Sequence, residues 1–351
     1  MPRQTLRILD ANCNRIGEGL RFLEDVARFL LNDAAISHRL KEMRHNLVKS
    51  LSKFGAAMLS ERDPEADVGF GNQLNQRQDL PSLVIANAKR AEEALRVVEE
   101  LAKLPDLNTT LHSKDFEQAR FNLYTLEKEL LSRLMRLQKR QQLTGLYVII
   151  DTQALGQKDV IDAAGKAISG GAKVIQLRDK QHGRGDLLVM AQQLKDLCYK
   201  SSALFIVNDY LDIALASRAD GIHIGQDDLP LSVVRKELPI DQIVGISTTT
   251  LAEAQKAEAE GADYIAVGSI FSSPTKVNAT VVGLEHLCQV KNAVSIPIVA
   301  IGGINKENIG EVMATGADSA AVISAVLTQK DIKSATSQLV KEIEKKTKSH
   351  K

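Results

Sequence analysis

From Thr144 onward the chain repeats one small pattern, a short apolar run followed by an amphipathic run long enough for a helix. The apolar runs are LYVII, KVIQLRD, LFIVND, GIHIG, IVGIS, YIAVGSI, IPIVAIGG and SAAVIS. Runs so short and so continuously apolar predict strands buried on both faces, as in a parallel sheet. Parallel neighbours need crossover connections, and amphipathic stretches such as Asp186 to Ser201 and Leu251 to Glu260 supply them. Eight units favour a closed (β/α)8 TIM barrel over an open doubly wound sheet. The phrases GGAKVI, RADGIHI, GADYIAV and TGADSAAV each place a small Gly or Ala turn before a strand, an economical return from helix to sheet. The expectation is an α/β chain with the barrel over residues 143–351.

The preceding part, residues 1–142, reads as an all-α domain. From Gln4 to about Gln142 it is rich in Leu, Glu, Arg and Ala, with few β-branched clusters. One stretch interrupts it, SERDPEADVGFGNQLNQRQDLPS from Ser60 to Ser82, which is polar, Gly-rich and punctuated by Pro64 and Pro81. The pattern predicts four or five helices with that stretch as a long loop, and a last helix from about Ser113 to Gln142 leading directly into the first strand.

Within the helical part, ANCNRIGEGLRFLED (Ala11 to Asp25) and ANAKRAEEALRVVEE (Ala86 to Glu100) share Ala, Asn, Arg, Glu, Leu-Arg and Glu at identical spacing. This predicts an internal duplication packed as a pseudo-symmetric pair. Ile16, Leu20, Leu23 and Ala27 form one apolar stripe, matched by Ala91, Leu95, Val98 and Ala102. Arg15, Glu18, Arg21 and Glu24, like Arg90, Glu93, Arg96 and Glu99, have the spacing of ordinary intrahelical ion pairs. Asn12 and Asn87 fall in the apolar stripes and are either N-caps or polar groups turned inward.

At 351 residues two domains are expected. Lys and Arg number 45 against 44 Asp and Glu, which gives no global attraction to nucleic acid or to an anionic membrane, so small-molecule partners are expected. The opening MPRQTLRILDANCNRIGEGLRF lacks the apolar core of a signal peptide, and no stretch approaches the roughly 20 apolar residues of a membrane span. A cytoplasmic location follows as the expectation, and a homo-oligomer is compatible with it. Cys13, Cys198 and Cys288 are isolated, odd in number and far from metal-ligand spacing, which predicts reduced thiols within helices. No GxGxxG opens a helix after the first strand and no GxxxxGK[ST] occurs, so neither a dinucleotide fingerprint nor a P-loop is expected.

In a barrel the C-terminal ends of the strands carry the active site. Gln176, Arg178 and Lys180 alternate in QLRDK and so point to one side, and two cations with an amide at one mouth suggest a phosphate or pyrophosphate. Asn208 and Asp209 end the third strand. His223 lies within the fourth, as a packed and hydrogen-bonded residue, and Gln226, Asp227 and Asp228 follow it. Carboxylates at adjacent strand ends can share Mg²⁺ together with substrate phosphate, while Asp228 can alternatively cap the next helix. Ser247 ends the fifth strand. After the sixth comes FSSPTK, with Ser272, Ser273, Thr275 and Lys276, a hydroxyl-rich clamp or a hydrophilic turn. Gly302, Gly303, Ile323 and Ser324 end the last two strands, where this fold often builds a phosphate site.

In this order, QLRDK, VND, HIGQDD, GIS, the PTK loop, AIGGI and VIS resemble thiamine-phosphate synthase, over Thr144 to about Thr328. The resemblance implies a transferase joining hydroxymethylpyrimidine diphosphate to a carboxylated thiazole phosphate, with release of pyrophosphate and CO₂. It implies that Gln176, Arg178, Lys180 and Asn208 hold the pyrimidine diphosphate, with Ser247 and Lys276 also touching it, and that Asp209 and Asp228 hold Mg²⁺. Ser273, Thr275, Gly303, Ile323 and Ser324 would hold the thiazole phosphate. Arg178, Lys180, Lys276 and Ser247 would be the catalytic set. Ser273 stands where the family often has Thr, and the hydroxyl is kept. The helical part, about Leu6 to Leu137, resembles a domain fused to this synthase in some bacteria and associated with hydroxymethylpyrimidine-phosphate kinase activity, through ANxxRxxEGLRxLED and RDPEADVG at Arg62 to Gly69. Two alternatives stay open, a helical domain serving only assembly or channelling, and a barrel running another phosphate chemistry such as an epimerase.

Overall fold

The computed structural model describes residues 3–61, 79–272 and 280–348. The chain divides into two compact units, residues 1–135 and 136–351.

In the first unit the helices are α1 (Arg3–Asp25), α2 (Ala34–Leu51), α3 (Gly55–Ser60), α4 (Leu80–Leu101) and α5 (Ser113–Gln142), the last running on into the second unit. A π-helical turn, Val26–Leu30, extends α1. Asp33 starts α2 by accepting the amides of Ala35 and Ile36, and Asp79 starts α4 by accepting that of Ser82. Pro81 therefore sits in the first turn of α4, where its missing N–H costs nothing, and the loop expected to reach Ser82 ends by Asp79. Residues 62–78, with most of that expected loop, lie outside the described residues. The matching stripes of α1 and α4 are buried against one another, and a Cβ on Gly19 would come within 2.8 Å of the Asn87 carbonyl.

Asn12 and Asn87 are mid-helix and cap nothing. Each donates its side-chain amide to the carbonyl four residues back, Ile8 at 2.8 Å and Leu83 at 2.9 Å. The charge sets also differ from plain intrahelical pairs. Glu24 and Glu99 are buried, and each accepts two bonds from an arginine of another helix, Arg44 at 2.8 and 3.0 Å and Arg120 at 3.1 and 3.2 Å. A buried carboxylate requires such a partner, so these acids became core ion pairs while Glu18 and Glu93 kept to the surface.

The second unit is a closed barrel of eight parallel strands in sequence order. The strands are β1 (Gly145–Asp151), β2 (Val174–Arg178), β3 (Leu204–Asn208), β4 (Gly221–Ile224), β5 (Ile243–Thr248), β6 (Tyr264–Val267), β7 (Ile298–Ile301) and β8 (Ser319–Val322). Helices on the outside include α6 (Thr152–Leu155), α7 (Val160–Ser169), α8 (Arg184–Lys200), α9 (Leu211–Ala216), α10 (Leu231–Glu237) and α11 (Leu251–Ala259). They continue with α12 (Gly283–Ala293), α13 (Ile309–Ala314), α14 (Ser324–Leu327) and α15 (Ile332–Lys348). Alternation divides each strand. Leu146, Val148 and Ile150 of β1 pack outward under the helices, whereas Tyr147 and Ile149 join Leu204, Ile206, Ile243, Tyr264, Ala266 and Val299 inside. Gly245 makes the interior possible, because a Cβ there would lie 2.0 Å from the Tyr264 ring.

Three of the four small turns read before strands carry an acid that bonds the sheet, and GGAKVI carries none. Asp220, Asp263 and Asp318 accept the amides of Phe205, Val244 and Ile298 at 3.0, 2.9 and 2.8 Å. Asp263 is the most enclosed. It takes Arg136 of α5 at 2.7 Å and Arg235 of α10 at 3.2 Å, which explains why the last turns of α5 go with the barrel. Replacing Asp263 with Ala would leave buried guanidinium charge unmatched, and is expected to lower barrel stability by about 3 to 5 kcal/mol in urea denaturation. Asp318→Ala, whose partner Lys291 is more exposed, is expected to lose far less.

Candidate active site

The C-terminal ends of the strands surround a cavity of about 550 Å³. Its lining includes Gln176, Arg178 and Lys180 from the β2 end, Asn208 and Asp209 from β3, Asp228 after β4, Ser247 from β5, and Gly303, Ile323 and Ser324 after β7 and β8. Gln176, Arg178, Asn208 and Ser247 are inward strand positions, and the others come from the turns that follow their strands. Ser273, Thr275 and Lys276 lie outside the described residues.

The cations at the mouth are held by carboxylates from neighbouring strands. Arg178 pairs with Asp151 of β1, and Lys180 pairs with Asp209. The Lys180 ammonium also lies 5.5 Å from the centre of the Tyr210 ring, with the Arg184 guanidinium 3.6 Å from it. The bond to Asp209 raises the Lys180 pKa, so it stays charged. Asp209 has its own pKa raised, first by burial and also by the neighbouring Asp228 carboxyl, against the pull of Lys180. Its backbone is left-handed at φ 61°, a conformation that Asp adopts more readily than most residues, and its N–H donates to the His223 carbonyl at 2.8 Å. Asp228 caps no helix, since α10 begins at Leu231. Its carboxylate accepts the Gly225 amide at 2.7 Å and closes the turn after β4. Two carboxylates this close, one already raised by the other, are the donor set that a divalent cation relieves.

Beneath the mouth runs a buried chain of hydrogen bonds. Gln176 Nε2 donates to Tyr147 Oη at 2.7 Å, Tyr147 and Tyr264 share a bond of 3.2 Å, Tyr264 Oη meets His223 Nδ1 at 3.2 Å, and His223 Nε2 meets Ser247 Oγ at 2.9 Å. Burial depresses the His223 pKa to about 4, so the imidazole is neutral and offers one donor and one acceptor. Followed from Gln176 Nε2, which can only donate, the chain runs one way to Ser247 and leaves the serine proton free to donate into the cavity. Burial likewise raises the Tyr147 and Tyr264 phenols, which therefore stay protonated. Opposite, Gly302 and Gly303 have positive φ of 103° and 63°, and a Cβ on Gly303 would come within 2.4 Å of the Ser272 carbonyl. Side chains are excluded there, and the backbone itself forms the wall.

Sequence reading passed over Tyr147, Tyr264 and Asp151. The tyrosines sit in apolar runs and look like core, and Asp151 follows LYVII as an ordinary cap does. The hydroxyl-bearing ring on an inward strand position was the only available signal.

His223 makes acid stability a test of this network. Its pKa is lower in the fold than the ordinary 6.5, so between pH 6.5 and about 4 the unfolded chain binds the extra proton and stability falls as pH falls. The expected contribution is about 3 kcal/mol across that window. His223→Gln should flatten the pH dependence of the urea midpoint between pH 7 and pH 4.5, and an unaltered slope would show that the imidazole titrates normally.

A family model described as thiamine monophosphate synthase matches residues 146–326, and one described as the ThiD2 family matches residues 7–129. A thiamine-phosphate synthase of Synechocystis sp. is 39% identical over 347 residues, 97% of each chain. One of Thermosynechococcus vestitus is 37% identical over 338 residues, 96% of this chain and 94% of the relative. Among solved structures, thiamine phosphate pyrophosphorylase from Pyrococcus furiosus is 40% identical with a TM-score of 0.55, covering 59% of this chain and 98% of that one.

Proposed function

The chain belongs to the thiamine-phosphate synthase family of transferases, and on that premise we propose how the barrel mouth joins hydroxymethylpyrimidine diphosphate to carboxythiazole phosphate. The observation that carries the reading is the division of the cavity. Two cations, an amide and a serine lie on the β2 to β5 side, and across from them lie Gly302 and Gly303 after β7 with Ile323 and Ser324 after β8. The first side suits the diphosphate and the second the single phosphate, whose oxygens can be met by backbone N–H groups.

In the reaction the bond between the pyrimidine methylene and pyrophosphate breaks and the thiazole nitrogen takes that carbon; the carboxylate leaves as CO₂, and the electron pair it leaves on the ring carbon takes a proton from water. The electron-rich aminopyrimidine supports the methylene cation, so the protein mainly stabilises departing charge and aligns the nitrogen. Arg178 and Lys180 bind the pyrophosphate oxygens, Ser247 donates its free proton to them, and Lys276 completes the set from the clamp. Asn208 and Gln176 orient the pyrimidine half. Asp209 and Asp228 would hold Mg²⁺, which supplies further neutralisation of the leaving group. Ser273, Thr275, Ile323 and Ser324 belong with Gly303 on the thiazole side. No helix among the described residues is long and apolar enough to cross a membrane, and a cytoplasmic place is part of the same reading.

The helical half takes a second reading, favoured by the family match over residues 7–129. It would phosphorylate hydroxymethylpyrimidine phosphate and so supply the diphosphate that the barrel consumes. With the purified full chain, Mg²⁺ and both barrel substrates, thiamine phosphate is expected to form without ATP. Asp209→Asn is expected to raise the Mg²⁺ needed for half-maximal rate by roughly tenfold or more while leaving the fold intact, and wild-type rates at limiting Mg²⁺ would refute the metal assignment. Substituting the pyrimidine monophosphate for the diphosphate should give product only when ATP is added. No product under those conditions, from a chain active on the diphosphate, would leave the helical half an assembly or channelling domain.

A further inference from the structure

We propose that Asp151, which does not line the cavity, is a positioning residue that fixes the direction from which Arg178 meets the diphosphate; this rests on the synthase reading above. Asp151 ends β1 directly opposite Arg178 in the sheet register, and it is only 2% exposed. Both of its oxygens are engaged. Oδ1 accepts the Ala154 amide at 2.9 Å and Oδ2 takes the Arg178 guanidinium. Buried and off the cavity wall, it is out of reach of a substrate, so whatever Asp151 does in the reaction it does through the arginine.

The charge arithmetic of the mouth makes this pairing informative. Arg178 is 35% exposed and shares the cavity with Lys180, a like charge that tends to turn it away. A carboxylate beneath it subtracts one unit of the positive charge that would attract a diphosphate. As a contribution to anion binding Asp151 is therefore counterproductive, and its use must lie in geometry. The first turn of α6 locks the carboxylate, the carboxylate locks the guanidinium, and the planar fork of an arginine transmits that orientation to two phosphate oxygens at once. Lys180 is held on the other side by Asp209, but a lysine ammonium is a point charge and depends less on direction.

Asp151→Asn separates orientation from attraction. The asparagine has the same shape but one oxygen for two donors, so the Ala154 amide and the Arg178 guanidinium compete for it. The mouth gains one unit of positive charge. The expected result, in thiamine phosphate formation by the full chain, is a kcat lower by on the order of 10- to 100-fold with KM for the diphosphate unchanged or lower and KM for the thiazole phosphate unchanged. In an Arg178→Ala background the same substitution should lower kcat by less than about twofold, because there is no guanidinium left to orient. A residue of purely structural importance would instead lower the thermal midpoint and reduce kcat equally in both backgrounds, and that outcome overturns the proposal, as does an unchanged kcat. Should Asp151→Asn fail to fold, Asp151→Glu, one methylene longer, displaces the guanidinium and is expected to show the same loss of kcat at retained KM; wild-type kcat in that variant overturns the proposal. A wild-type chain that makes no thiamine phosphate overturns the synthase reading and this inference with it, whereas wild-type turnover with an indifferent Asp151→Asn overturns this inference alone.

Discussion

Closure of the sheet is the constraint from which the rest of the barrel follows. Once β1 pairs with β8, every second residue of every strand points to a space that cannot be enlarged, and those positions must fill it. The lower layers are filled by Tyr147, Tyr264, Leu204, Ile206, Ile243 and Val299, and Gly245 gives up its side chain so that the Tyr264 ring fits. The last inward position of each strand has no layer above it. Polar groups cost least there, so the same alternation that packs the core delivers Arg178, Asn208 and Ser247 to one cavity.

Two devices make this mouth compatible with a stable protein. Each cation has a carboxylate from an adjacent strand, which offsets part of the repulsion between Arg178 and Lys180. Beneath the mouth the inward polar side chains from Gln176 to Ser247 are joined in a single chain, so each member of that chain has a partner. At the opposite end Asp220, Asp263 and Asp318 do the corresponding work, each tying two adjacent strands together at their starts through a backbone amide and a basic side chain. The barrel is thus stitched by paired carboxylates at both ends and by apolar packing between.

The strand positions were legible in the sequence because a run such as LFIVND is too short and too apolar for anything but an internal strand, and position along a strand then tells which residues face the mouth. Pairings were not legible. Glu24 has Arg21 three residues before it, and nothing local says that Arg44 is the closer partner. Asp151 and Arg178 meet only because β1 and β2 are neighbours in a particular register, and a slip of one residue in either strand would turn its side chain to the other face. Asp179 shows the same limit within a recognised motif. It lies between Arg178 and Lys180 in QLRDK but faces the other way, where it accepts the amides of Gln181 and His182 and the His182 ring at 2.6, 3.0 and 2.6 Å. Although burial opposes it, those bonds keep its pKa below the ordinary carboxylate value.

The helical half shows where a repeated sequence stops meaning a repeated environment. The two copies agree in their stripes, in the amide of Asn12 or Asn87 turned back on its own helix, and in the buried glutamates bridged to Arg44 or Arg120. They part at Gly17 and Glu92, which occupy the same place in the motif. A Cβ on Gly17 would meet nothing within 4 Å, whereas Glu92 is buried, with Lys89 on one carboxylate oxygen at 2.8 Å and no N–H donor among the described residues for the other. The Glu127 carboxyl stands beside it and can serve that oxygen only when protonated. Burial first, then Glu92 itself, pushes Glu127 up to about 7, against the pull of Lys89. One ammonium thus stands beside two acids in the second copy, at a position where a Cβ on Gly17 of the first would meet nothing within 4 Å.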